Sequence, residues 1–143
     1  MRRGWTLCCA MVILLALSSC ARPGIEELGR SAIRDRAAEG MDWFKGFTAA
    51  TDMSDRDGVR SKLQGTNVTY SFGWEADGDF YADRYFREHL TTSGGWWAEQ
   101  RTVNACVRYT AKPEGPIMSS VACPDRPPFT ERVDEQVTIG GKE

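Results

Sequence analysis

Between residues 25 and 51 the chain has no proline, and its apolar side chains return at helical intervals. Ile25, Leu28 and Ala32 form one series, and Ile33, Ala37, Met41 and Phe44 a second. Trp43 and Phe47 widen the apolar face. Arg30, Arg34, Asp35, Arg36 and Glu39 are interspersed with it in the first half. Pro23 stands where a proline can start a helix, and Glu26 and Glu27 complement the positive end of a helix dipole. The pattern predicts one amphipathic helix, loosened near Gly40 or Gly46, whose aromatic end (Trp43, Phe44, Phe47) packs on the core. The charged first half has an alternative role as a stalk. Residues 51–58 are polar and turn-like. They do not make a calcium loop, because Ser54 and Arg56 occupy ligand positions and Leu63 stands where the closing glutamate belongs. They read instead as a helix start: Ser54 as the cap, Asp55 and Asp57 in the first turn, Val59 and Leu63 on one face, and Gly65 at the end.

From residue 67 the period changes to two. Val68, Tyr70, Phe72 and Trp74 alternate with Thr69, Ser71, Gly73 and Glu75, which predicts a strand with one aromatic face. Glu75-Ala76-Asp77-Gly78-Asp79 carries three acids that invite a surface cation, but Asp-Gly is foremost a hairpin signal. Residues 80–90 are mixed. Phe80, Ala82 and Phe86 favour a strand, the second half of the hairpin, whereas Tyr81, Tyr85 and Leu90 lean towards a helix. Residues 91–95 read as a loop. Residues 100–111 alternate again, with Arg101, Val103, Ala105, Val107, Tyr109 and Ala111 on one face and Cys106 on the other. A turn at 112–116 and a returning strand at 117–123 follow. Prolines then break the sheet, and Val133, Val137 and Ile139 offer a last edge strand.

Helices first and strands afterwards predict an α+β fold, with N-terminal helices packed on an antiparallel sheet. A helix lying on a curved sheet resembles the cystatin or nuclear-transport-factor-like architecture. That likeness implies a fold and no activity.

The N-terminus has its own signature. After Arg2 and Arg3, residues 6–17 are uncharged and mostly apolar. A helix of that length spans about 18 Å, short of a hydrocarbon core of roughly 30 Å, as in a signal peptide. The run ends in Leu17-Ser18-Ser19-Cys20, which resembles a bacterial lipobox. The resemblance implies a diacylglycerol thioether on Cys20 and cleavage before it. Two acyl chains anchor a protein stably where one does not. The division is then a signal peptide at 1–19, a lipidated tether at 20–24, and one extracytoplasmic domain at 25–143. The competing readings are a plain secretory signal and an uncleaved membrane helix over 4–19. The lipobox, with Asn104-Ala105-Cys106-Val107-Arg108-Tyr109 and Ser120-Val121-Ala122-Cys123-Pro124, also makes the chain similar to small actinobacterial lipoproteins.

Charge and cysteines refine this picture. Removing 1–19 takes away two arginines and no acid, so the formal charge goes from −2 to −4. Mild acidity argues against nucleic acid as a partner. Cys106 and Cys123 remain as an even pair in an exported chain, which predicts a disulfide between neighbouring strands. With one histidine and no close cysteine pair, zinc is not expected, and no cofactor is implied.

The chemistry-bearing residues are few. The chain contains no glycine-rich phosphate loop, Gly-x-Ser-x-Gly elbow or His-Glu-x-x-His. His89 stands alone, and Asp77, Asp79, Asp83 and Glu88 are the acids near it in sequence. Trp96 and Trp97 are adjacent, so on a strand they face opposite ways and one is free to stack on a sugar or a partner protein. The expectation is a non-catalytic, membrane-tethered domain that binds an envelope protein or glycan, with Trp96 and Trp97 as the interaction surface and no catalytic residue. Two alternatives remain: an envelope enzyme using His89 and a carboxylate in a pocket between helix and sheet, and a small-ligand carrier with an apolar cavity there.

Overall fold

The computed structural model describes residues 24–66, 68–94 and 97–140. The lipobox with Cys20, Trp96 and the side chain of Trp97 lie outside the described residues. Among those described, no helix is long and apolar enough to cross a membrane.

Helix α1 (Ile25–Ala49) is unbroken through Gly40 and Gly46. Its buried residues are Ile25, Gly29, Ile33, Ala37, Gly40 and Phe44, a single stripe at spacings of three and four. The first half is therefore docked on the sheet and is not a stalk. It is also pinned by ion pairs, Arg30 to Glu135 at 2.6 Å and Arg36 to Glu88 at 2.8 Å. Helix α2 (Arg56–Leu63) starts one residue later than its expected cap. Asp55 accepts from the Gly58 N–H, and Ser54 bonds to Asp52 instead. Val59 and Leu63 are buried, and Gly65 follows the helix at φ 97°, a conformation glycine adopts without strain.

The sheet is an antiparallel meander of β1 (Thr69–Trp74), β2 (Phe80–Gly94), β3 (Trp97–Lys112) and β4 (Gly115–Ser120). A two-residue β5 (Glu135–Gln136) runs parallel to β3 beside Val103 and Asn104. Three elements differ from the sequence pattern. In β1 a bulge between Thr69 and Ser71 breaks the alternation. Phe72 and Trp74 face α1, but Tyr70 packs edge-on against Phe129 on the opposite face, and burial pushes its phenol up to about 12. Residues 91–94 belong to β2, because Thr91 and Thr92 continue the ladder to Gln100 and Glu99. The returning strand stops at Ser120, so Cys123 lies three residues beyond β4. There the Val121 N–H still donates to the Cys106 carbonyl, which keeps the chain beside β3 and closes the Cys106–Cys123 disulfide with Cα atoms 5.3 Å apart.

The core lies between α1 and the inner faces of β2 and β3. Phe44 stacks on Phe80 and on Tyr109 at centroid distances of 5.8 and 5.7 Å. Tyr109 is fully buried, and its Oη donates to the Ala37 carbonyl at 2.8 Å. The helix comes this close because Gly40 has no side chain: a Cβ there would fall 2.3 Å from Tyr109 Oη. Gly29 meets Val103 and Leu90 in the same way at the other end. The outer face is covered by the segment after β4, where Phe129 wedges against Tyr70 and Tyr85.

Two predictions follow from this packing. Gly40→Ala should cost about 2–3 kcal/mol through overpacking and loss of the Tyr109 bond, whereas Gly46→Ala, with open space around it, should stabilise by about 0.5–1 kcal/mol. Urea melts of the two variants should move in opposite directions, and a shared direction would refute the close contact. Reducing the disulfide, which closes a 17-residue separation, should destabilise by about 3 kcal/mol. A melting temperature unchanged by reductant would mean the bridge is idle.

Candidate functional site

β1 covers only the first third of β2. Its last partner along that strand is Arg84, with one further bond from the Tyr85 N–H to the Val68 carbonyl. Where β1 leaves, a groove of about 390 Å³ opens between α1 and β2. Arg36, Glu39 and Trp43 line it from the helix, and Arg84, Phe86 and Glu88 from the strand. Its size is that of a small-ligand or side-chain site.

Arg84 is the unusual member. Phe80, Ala82, Arg84 and Phe86 alternate on the α1 face of β2, so a guanidinium occupies a position that the pattern gives to an apolar side chain. It lies 4.2 Å from the centroid of the Trp43 ring and 5.6 Å from that of Phe86. Such cation–π contacts partly offset desolvation. Burial still lowers its pKa from the usual arginine range. No carboxylate among the described residues pairs with it. Its Nε is enclosed without a hydrogen-bond partner, as is Oγ1 of Thr69, the residue directly across the ladder. Both glutamates in the groove are taken by Arg36, Glu88 at 2.8 Å and Glu39 at 3.3 Å. The groove therefore offers one uncompensated positive charge between two aromatic rings.

Arg108 provides the contrast on the outer face. Asp83 accepts from its Nε at 2.7 Å and from its terminal nitrogen at 2.9 Å, and Tyr81 lies beneath the guanidinium. The bonds to Asp83 raise the arginine's pKa, the opposite shift to that of Arg84.

Of the acids near His89 in sequence, Asp77 and Asp79 converge with Glu75, their carboxylate oxygens within 4.8 Å of one another, whereas Asp83 and Glu88 stand apart from them. Asp83 is held by Arg108 and Glu88 by Arg36. Asp77 and Asp79 share the Lys112 ammonium with Glu75, at 3.0, 2.7 and 3.4 Å. The hairpin turn thus takes its cation from β3, and those carboxylates push the lysine up. His89 is exposed on the face away from α1, by strand alternation with Tyr85 and Arg87. Its Nδ1 meets the hydroxyl of Thr102, its cross-strand partner, at 2.7 Å. Asp134 accepts from the Thr102 backbone N–H at 2.7 Å. The arrangement in which His89 and a carboxylate meet between helix and sheet is not formed. At Gly29 and Gly40 the helix is in direct contact with side chains of β2 and β3. The proposed Trp96–Trp97 surface lies outside the described residues and side chains.

Sequence reasoning missed Arg84, Trp43 and Phe86 as a unit. The available signal was a charge at an inward position of the strand. Comparison of the chain with family models, with curated proteins and with solved structures returns no match.

A stability test separates an arginine kept for binding from one kept for folding. Arg84→Met preserves the contact with Trp43 and removes an unpaired charge, so it should leave stability within about 1 kcal/mol of the parent or raise it. Asp83→Asn strips Arg108 of its partner and should cost about 2–3 kcal/mol. If Arg84→Met proves the more damaging of the two in urea melts, the guanidinium belongs to the scaffold.

Proposed function

We propose that the chain is a lipid-anchored extracytoplasmic protein whose folded domain binds a ligand without transforming it. The anchor reading is supported by the short apolar run ending in Leu17-Ser18-Ser19-Cys20 and by the disulfide partner pair of an exported chain. The binding reading is carried by one observation, the uncompensated Arg84 guanidinium held between Trp43 and Phe86 in the α1–β2 groove. A preformed charge in a partly apolar groove is a recognition device. It orients an anionic group and supplies no base or nucleophile.

The tether is short. Residues 20–24 reach at most about 17 Å when fully extended, so the domain stays at the membrane surface and its partner belongs to the envelope. A neighbouring protein fits that place and charge better than nucleic acid does, given the formal charge of −4 after cleavage.

The test is the intact mass of the protein recovered from native membranes, before and after Cys20→Ala. The expected species begins at Cys20, carries a diacylglycerol increment, and loses both the increment and membrane retention in the variant. An unmodified chain starting elsewhere would remove the anchor from this reading.

A further inference from the structure

The groove beside Arg84 is dipolar along its length. Phe80, Ala82, Arg84, Phe86 and Glu88 share the α1 face of β2, so Arg84 and Glu88 stand four residues apart, about 13 Å, with Phe86 between them. At the Glu88 end, Arg36 is shared by Glu88 at 2.8 Å and Glu39 at 3.3 Å, two carboxylates to one guanidinium. At the other end, the Arg84 guanidinium pairs with no carboxylate among the described residues. Its Nε is enclosed, but its terminal nitrogens are not, and they make no hydrogen bond among the described residues. The stretch between the charged ends is apolar: Phe86 meets the helix at Gly40, and Val68 lines the groove with an exposed side chain. Trp43 already carries Phe47 at 5.4 Å and the guanidinium at 4.2 Å, so it walls the groove without offering a stacking platform.

These features select an occupant of one kind. We propose that the Arg84 groove is a monocarboxylate site, taking a single carboxylate carried on a short apolar stem. The carboxylate meets the terminal nitrogens of the guanidinium, whose planar fork matches its two oxygens. The stem lies along Phe86 and Val68, where its burial adds to the charge pair. A second negative charge is disfavoured: glutarate laid along the groove brings its far carboxylate towards Glu88 and Glu39. Inorganic phosphate has no stem to cover the apolar stretch. Two sources carry the required chemistry, a glutamate side chain of a neighbouring protein and a short free acid. The inference rests on the binding reading above, and narrows it from an anionic group to one carboxylate on an apolar stem.

The probes are pentanoate, pentanamide, glutarate, inorganic phosphate and the capped tripeptide acetyl-Gly-Glu-Gly-amide. Each is titrated at neutral pH into the full chain in a non-ionic detergent, and the resonances of the Arg84 Nε–H and the Trp43 indole are followed. Pentanoate should shift both saturably, with an affinity on the order of millimolar, as one charge-assisted pair supplies. Pentanamide should bind more weakly by roughly tenfold or more, and glutarate and phosphate by roughly threefold or more. Arg84→Met should abolish the difference between pentanoate and pentanamide, and Arg84→Lys should keep it only in part. Glu88→Gln should narrow the gap between glutarate and pentanoate, which an arginine with a purely structural role would not do. Amide spectra of the unliganded variants serve as the folding control. Tighter binding of the tripeptide than of pentanoate assigns the carboxylate to a protein side chain, and the reverse order assigns it to a free acid. Glutarate or phosphate binding the parent as tightly as pentanoate would overturn the inference and leave the anion-binding reading standing. Pentanamide binding as tightly as pentanoate, or no anion shifting the Arg84 resonance, would overturn both.

Discussion

The contact between the helix backbone and the Tyr109 ring governs the arrangement of everything else. A tyrosine buried to the hydroxyl needs a partner for its proton, and the Ala37 carbonyl supplies one from inside a helix. That bond forms only if the helix lies almost on the sheet, which requires Ala37 and Gly40 on the facing stripe. Gly29 repeats the condition eleven residues earlier, about 16 Å along the axis. Two close-approach points fix the line of α1 across β2 and β3. Side chains flanking that line, Trp43 and Arg36 among them, are then set at a fixed height above the strand. The groove beside Arg84 is a consequence of this docking and not a separate construction.

The sequence pattern made the order of elements, the long helix, the alternating faces of β3 and the disulfide partners legible. These depend on local period and on the count of cysteines, which the chain carries openly. What it concealed depended on tertiary geometry. The helix was expected to loosen at Gly40, yet the glycine is there because Tyr109 arrives from another element. Tyr70 followed the strand alternation on paper, but the bulge after Thr69 turned it to Phe129, a contact 59 residues away. The hairpin at Asp77-Gly78 was legible, but not that Lys112 on β3 would neutralise its acids. In each case the deciding partner is remote in sequence.

Arg84 differs from these misreadings because here local pattern and tertiary structure agree and the residue violates both. An inward position on a central strand, under an amphipathic helix, calls for an apolar side chain. The scaffold accommodates a guanidinium there with Trp43 and Phe86 but withholds a counter-ion, although Glu39 and Glu88 stand in the same groove. On the outer face the same strand pair solves the equivalent problem completely, with Asp83 in a two-pronged grip on Arg108. Among the described residues, Arg84 has no such partner. The proposed binding reading is the one that gives this departure a role.

Anchoring bears on how strong that partner contact needs to be. A single charge pair in a groove of this size makes a weak interaction in free solution, because ordering the partner's group opposes it. Confinement changes the arithmetic. If both proteins are held at one membrane surface by tethers of a few residues, the second encounter is effectively intramolecular, at local concentrations on the order of millimolar. A site as small as the Arg84 groove is then sufficient, and its weakness permits exchange. On the proposed reading, a lipid on Cys20 and the Arg84 groove are two halves of one binding device.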